Sequence, residues 1–121
     1  MMGSMTLRRG LPTIVLNWLL NNRAWLIGSG AKSYLMDGDM PRDLDIIVPP
    51  DQWQAVCRAI PSDIPIKINN FGGLKVKLEG IEVDVWPQHL DDYIALSPRP
   101  GYAVRLGPHI SVRFEAGIYL L

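Results

Sequence analysis

Residues 73–86, GLKVKLEGIEVDVW, alternate apolar and charged side chains on both sides of Glu79-Gly80. This stretch constrains the fold more tightly than any other in the chain. Side chains alternate faces along a strand, and glycine in a two-residue turn accepts the positive φ that a tight hairpin needs. Counting outward from the turn predicts the pairs Leu78–Ile81, Lys77–Glu82, Val76–Val83 and Lys75–Asp84. One face of the hairpin is then apolar (Val76, Leu78, Ile81, Val83, Val85). The other carries Lys75, Lys77, Glu82, Asp84 and Trp86.

The rest of the chain divides around this hairpin. A length of 121 residues with 48% hydrophobic composition fits one domain with its own core, spanning residues 1–121. Residues 12–22 read as a helix with Pro12 in its first turn, ended by Asn21 and Asn22. RAWLIG is a short apolar strand closing on Gly28, and Ser29 starts a helix to about Met36. DGDMP is a loop, and DLDIIV (residues 43–48) is a strand ended by Pro49-Pro50, which have no ladder donors. Asp51 with Gln54 resembles a capping box for a third helix, whose stripe of Trp53, Val56, Cys57 and Ile60 turns Cys57 toward the core. After Pro87, residues 88–96 read as a helix, SPRPG as a link, and the tail to residue 121 as two or three strands with a turn at Gly107-Pro108. No role is assigned to the strands within residues 97–121.

Charge and cysteine content exclude several classes. Lys+Arg and Asp+Glu are 12 each, so general adhesion to nucleic acid or an acidic membrane is not expected. A single cysteine makes no intramolecular disulfide, no Cys/His cluster has zinc spacing, and a reducing cytoplasm is the expected location. TIVLNWLL is broken by Asn17 and far shorter than the ~20 residues of a membrane span. Arg8 and Arg9 imitate the start of a signal peptide, but no cleavage site follows, and the opening MMGSM is set aside as an expression remnant.

Chemistry concentrates on aspartates. Asp43 and Asp45 share one face of their strand, where two close carboxylates share a proton, bind a cation or face solvent. Mg²⁺ accepts such a pair and completes its shell with water and substrate phosphates. Gly28-Ser29 stands after a strand and opens a helix, where free N–H groups and the dipole favour an anion. Lys32 stands one turn further on, and Asp84 adds a third carboxylate from a strand suited to lie beside DLDIIV. Haloacid dehalogenase-type phosphatases also use D-x-D, but there the aspartates end an apolar strand, whereas Asp43 and Asp45 begin one.

In order, GS at 28–29, thirteen intervening residues, DLDIIV at 43–48 and VDVW at 83–86 resemble the DNA polymerase beta-like nucleotidyltransferase superfamily, whose pattern is hGS, a linker of about that length, Dh[DE]h and a later acidic residue. The resemblance covers residues 12–96. It implies an α/β (α+β) fold, a mixed sheet flanked by helices. It further implies that Gly28 and Ser29 grip the triphosphate of an NTP, with Lys32 and Lys75 near its charge. Asp43 and Asp45 would hold two Mg²⁺ ions, with Mn²⁺ as a substitute. Asp84 would bind the catalytic ion and help deprotonate an acceptor hydroxyl. The implied reaction transfers a nucleoside monophosphate to that hydroxyl and releases pyrophosphate.

The sequence departs from small bacterial members, which read GSxARG and SDIDL. Here Lys32 replaces the arginine, Ser33 the glycine, and Arg42 stands where serine is common. Many members follow the core with a helical domain that binds base and acceptor, and strands are expected here instead. The chain is therefore read as a minimal enzyme, as one completed by a homodimer or partner protein, or as a nucleotide-binding or antitoxin-like module without turnover. The acceptor (RNA, protein or small molecule) is left open.

Several of these residues also have plainer readings. Lys75 and Asp84 form a cross-strand ion pair worth ~0.2–1 kcal/mol. Glu82 is the substitute third carboxylate, and Trp86 covers core rather than stacking on a base. His89 and His109 stand isolated, and Arg105 and Arg113 are expected on a solvated face.

Overall fold

The computed structural model describes residues 10–21, 23–115 and 117–120; MMGSM, Arg8, Arg9 and Asn22 lie outside the described residues. The hairpin forms in the expected register, β4 (Leu74–Leu78) against β5 (Ile81–Pro87), with Lys75 opposite Asp84. Glu79 and Gly80 take φ of 49° and 81°, so both turn residues are left-handed as a type I′ turn requires. The Glu79 carboxylate also accepts the backbone N–H of Thr13 at 2.5 Å, placing a negative charge at the start of helix α1 (Thr13–Leu20).

β1 (Trp25–Ile27) leads directly into α2 (Gly28–Leu35), and DLDIIV is β2 (Asp43–Val48). After Pro49 the chain differs from expectation. Pro50–Gln52 form a 3-10 turn that runs into α3 (Trp53–Arg58), so Asp51 sits inside a helical turn and caps nothing. Proline at the first position pre-sets helical φ and starts the turn early. Val56 and Ile60 are buried as the stripe requires; Cys57 is half-buried, and burial pushes its thiol pKa up.

β3 (Ile66–Ile68) was not anticipated; it is a three-residue edge strand pairing with β4. α4 (Leu90–Leu96) follows β5, two residues shorter than expected at its start. β6 (Gly101–Leu106), β7 (His109–Glu115) and β8 (Ile118–Leu120) make up the tail, turning at Gly107-Pro108. These strands belong to the same sheet as the rest. Its order is β3-β4-β5-β2-β1-β6-β7-β8, with β2 and β5 parallel and the other described pairs antiparallel. The fold is thus a mixed α+β sheet with helices.

The two sheet faces carry different cores. On one, Leu26, Leu44, Ile46, Val48, Val83, Val85 and Val104 pack with Val15, Trp18 and Leu19 of α1, Ala31 and Tyr34 of α2, and Val56 of α3. On the other, a smaller cluster of Trp25, Ile27, Ile47, Trp86, Val112 and Phe114 is covered by Ile94 of α4. Trp86 is therefore core, its indole N–H donating to Gln88 Oε1 at 2.9 Å. Arg105 corrects the solvated reading: it is half-buried, with its guanidinium 4.6 Å from the Trp25 ring centroid. Arg113 is exposed and lies 5.9 Å from the Tyr102 ring centroid. No helix among the described residues is long and apolar enough to cross a membrane.

Candidate nucleotide site

Parallel pairing of β2 with β5 sets Asp45 beside Asp84 and Asp43 beside Glu82. Antiparallel pairing then extends the row in both directions, to Ile27 of β1 on one side and to Lys75 of β4 on the other. Cross-strand partners share a face and lie about 5 Å apart, so the two aspartates adjoin on the face that carries the smaller core. Gly28 follows Ile27 and turns the chain into α2 with φ of 65°. A Cβ built on Gly28 would stand 3.4 Å from Asp45 Oδ2, so this glycine lets the helix start meet the carboxylate.

The electrostatics follow from that packing. Burial raises the Asp45 pKa above the ordinary carboxylate value, the charges of Asp84 and Asp43 raise it further, and Lys75 pulls it down. The Lys75 ammonium is 3.9 Å from Asp84 Oδ2 and half-exposed, which makes it a weak partner. Asp84 Oδ1 also lies 3.5 Å from Asn69 Nδ2. Burial, with the charge of Asp45 assisting, raises the Tyr93 pKa and keeps the phenol protonated.

A cavity of about 530 Å³ is lined by Gly28, the residue that backs onto Asp45, with Ser29 and Lys32, and walled by Tyr93, Arg99 and Tyr102 among others. Three of the expected phosphate-side residues therefore come together. Lys75 does not join them: it stands two strands beyond Asp45, in a separate cavity with Asp84. Tyr93 and Arg99 were missed by sequence reasoning. Tyr93 sits in a short amphipathic helix and Arg99 in the Pro-rich link, and neither position carries a signal of its own. Asn69 was missed as well, although an asparagine before Gly72-Gly73 is a turn signal.

The donors suit a hard cation in kind: adjacent carboxylates on one face, with Lys75 the cation that offsets them among the described residues. Among the described residues, no three or more His, Cys, Asp or Glu side chains converge as a ready cage. Asp43 is exposed at the start of β2, and Mg²⁺ commonly takes only one or two carboxylates, filling its shell from water and phosphate.

No family model matches the chain, and no curated protein matches it in sequence. Solved structures do match in fold. The Thermotoga maritima CCA-adding enzyme complexed with tRNA superposes with a TM-score of 0.55 at 15% identity, covering 87% of this chain and 29% of its own. A CCA-adding enzyme with CTP gives 0.53 at 17% identity, covering 87% and 30%. One with ATP gives 0.52 at 19% identity, covering 78% and 26%. The chain spans less than a third of the length of each. Its fold is that of the nucleotidyltransferases.

Proposed function

We propose that the chain is a nucleotidyltransferase domain that moves a nucleoside monophosphate from an NTP to an acceptor hydroxyl. The observation that carries this reading is the adjacency of Asp45 and Asp84, with Asp45 against Gly28, a residue that lines a cavity large enough for a nucleotide. The NTP lies in that cavity, its phosphates against the N–H groups at the start of α2 and the Ser29 hydroxyl. Lys32 and Arg99 offset phosphate charge from the cavity wall, while Tyr93 and Tyr102 face the sugar and base. The bond from the α-phosphorus to the β-phosphate bridge breaks, pyrophosphate leaves, and the acceptor oxygen bonds to phosphorus while its proton passes to Asp84.

Asp45 and Asp84, with Asp43 beside them, would hold Mg²⁺. When bound, the ion neutralises phosphate charge and stabilises the oxygens of the in-line displacement. The neighbours' complexes with ATP and CTP support an NTP as donor. The exposure of Asp43 favours one second reading, a nucleotide-binding module without turnover.

The test is a thermal-shift titration of the wild type and the Asp43→Asn/Asp45→Asn double variant against ATP, GTP, CTP and UTP, with and without Mg²⁺. A metal-dependent rise that the double variant loses is expected. No rise with any nucleotide would overturn the reading. Metal-dependent pyrophosphate release that Asp84→Asn blocks would exclude the module without turnover.

A further inference from the structure

The pair Asp45–Asp84 has a cavity on each flank. On the Gly28 side lies the 530 Å³ cavity, and beyond Asp84 lies a second, of about 300 Å³, built from β3, β4 and the loop between them. In-line transfer brings attacking and leaving oxygens to opposite sides of phosphorus. If the donor occupies the first cavity, the attacking hydroxyl arrives from the second. This inference rests on the proposed function for that geometry.

Three features define what the second cavity fits. Phe71 projects into solvent, 61% exposed, with its ring 4.8 Å from that of Trp86 and tilted by 35°. It is held there: Asn69 Oδ1 accepts the backbone N–H groups of Phe71 and Gly73, both at 2.9 Å, while Asn69 Nδ2 donates to the Leu74 carbonyl at 3.1 Å. An aromatic ring fixed by a bonded loop and backed by a buried indole is a stacking platform. Next, Lys67 and Lys75 are direct partners across β3 and β4, on the face that carries Asp84. Like charges opposite one another are unfavourable, and a bound anion relieves them. Finally, Asp84 lies at the inner edge of the cavity as an acceptor for a hydroxyl proton.

We propose that this cavity is the acceptor subsite and that it takes one nucleotide unit. The base stacks on Phe71, the phosphate lies between Lys67 and Lys75, and the free hydroxyl turns toward Asp84. Its small volume and a chain with 12 basic and 12 acidic residues fit a single terminal unit rather than a long tract of backbone.

The test measures binding without NTP, so that it is independent of the donor. A fluorescently labelled single-stranded hexanucleotide with a free 3′-hydroxyl is titrated by anisotropy, with AMP as competitor. Wild type, Phe71→Ala, Phe71→Leu, Lys67→Ala and Ser29→Ala are compared. Phe71→Leu retains apolar packing on Trp86 while removing the stack, which separates stacking from loop collapse.

Both Phe71 variants are expected to weaken hexamer binding about tenfold. Lys67→Ala is expected to weaken it severalfold with a shallower salt dependence, and Ser29→Ala to leave it unchanged. Competition by AMP at similar concentrations identifies a free nucleotide as the source; a clear preference for the hexamer identifies a strand end. Hexamer binding indifferent to both Phe71 variants, or absent while NTP with Mg²⁺ still raises the melting temperature, overturns the inference and leaves the donor reading standing. Phe71-dependent binding without any NTP response leaves a nucleotide-binding cavity at Phe71 but overturns its acceptor role together with the donor reading.

Discussion

Asp45 and Asp84 occupy the same register on neighbouring parallel strands, and Gly28 backs directly onto Asp45. Two partly shielded carboxylates are thereby held together with one weak cation nearby. The Asp45 pKa is raised, so the folded chain holds more protons than the unfolded one between the ordinary carboxylate value and the raised value. Stability falls as pH rises through that window, and the full penalty persists above it.

Asp45→Asn should therefore raise the melting temperature of the metal-free protein at pH 7 by a few degrees, since 1 kcal/mol corresponds to about 4 °C in a domain of this size. The gain should shrink as pH falls and vanish below the ordinary carboxylate value, where both states of the wild type are protonated. A variant no more stable at pH 7 than the wild type would refute the electrostatic argument. The measurement is differential scanning fluorimetry across pH 3.5–8 in chelator.

Lys75→Ala removes the cation that lowers the Asp45 pKa. The expected result is a further rise of that pKa, read from the carboxyl carbon shift by NMR. Global stability should change by less than about 1 kcal/mol, because the Lys75–Asp84 pair is 3.9 Å long and half-exposed. A larger loss would show that the pair has a structural role.

Gly28→Ala forces a side chain into left-handed backbone against Asp45. A cost of about 1–2 kcal/mol is expected from the backbone alone. The nucleotide-dependent thermal shift should fall as well, because the helix start can no longer meet the carboxylate. Gly80→Asn is the control: it also has positive φ, but no neighbour, and asparagine tolerates it in a type I′ turn.

Asn69→Ala deletes the bonds that close the β3–β4 loop. Their combined loss should cost about 2 kcal/mol. Hydrogen exchange is expected to accelerate at the amides of Phe71 and Gly73 while that of the Leu78–Ile81 turn stays slow. Uniform acceleration throughout the hairpin would contradict a local anchoring role.

Much of this arrangement was legible in the residues. The alternation around Glu79-Gly80 prescribes the pairing of Lys75 with Asp84 because a one-residue slip would expose every apolar side chain. Pro49-Pro50 closes DLDIIV where the strand in fact ends, and the glycine-serine pair does open a helix. Other features left no local trace. Ile66–Ile68 is all exposed and too short for a period, so only its partner β4 makes it a strand. Arg99 joins Gly28 and Ser29 only because β6 pairs with β1 and draws the preceding link back over α2. Lys75 parted from the phosphate side for a similar reason: sheet order, which alternation does not encode, places β4 at the far flank.

β2 and β5 form the one parallel pairing among the described strands, and every other ladder is antiparallel. Parallel neighbours cannot be joined by a tight turn, so their alignment waits on closure of the long crossover between them. A chain with its hairpins formed would still lack the juxtaposed aspartates. The proposed nucleotide site is thus a product of tertiary closure, complete only once that crossover has brought Asp84 beside Asp45.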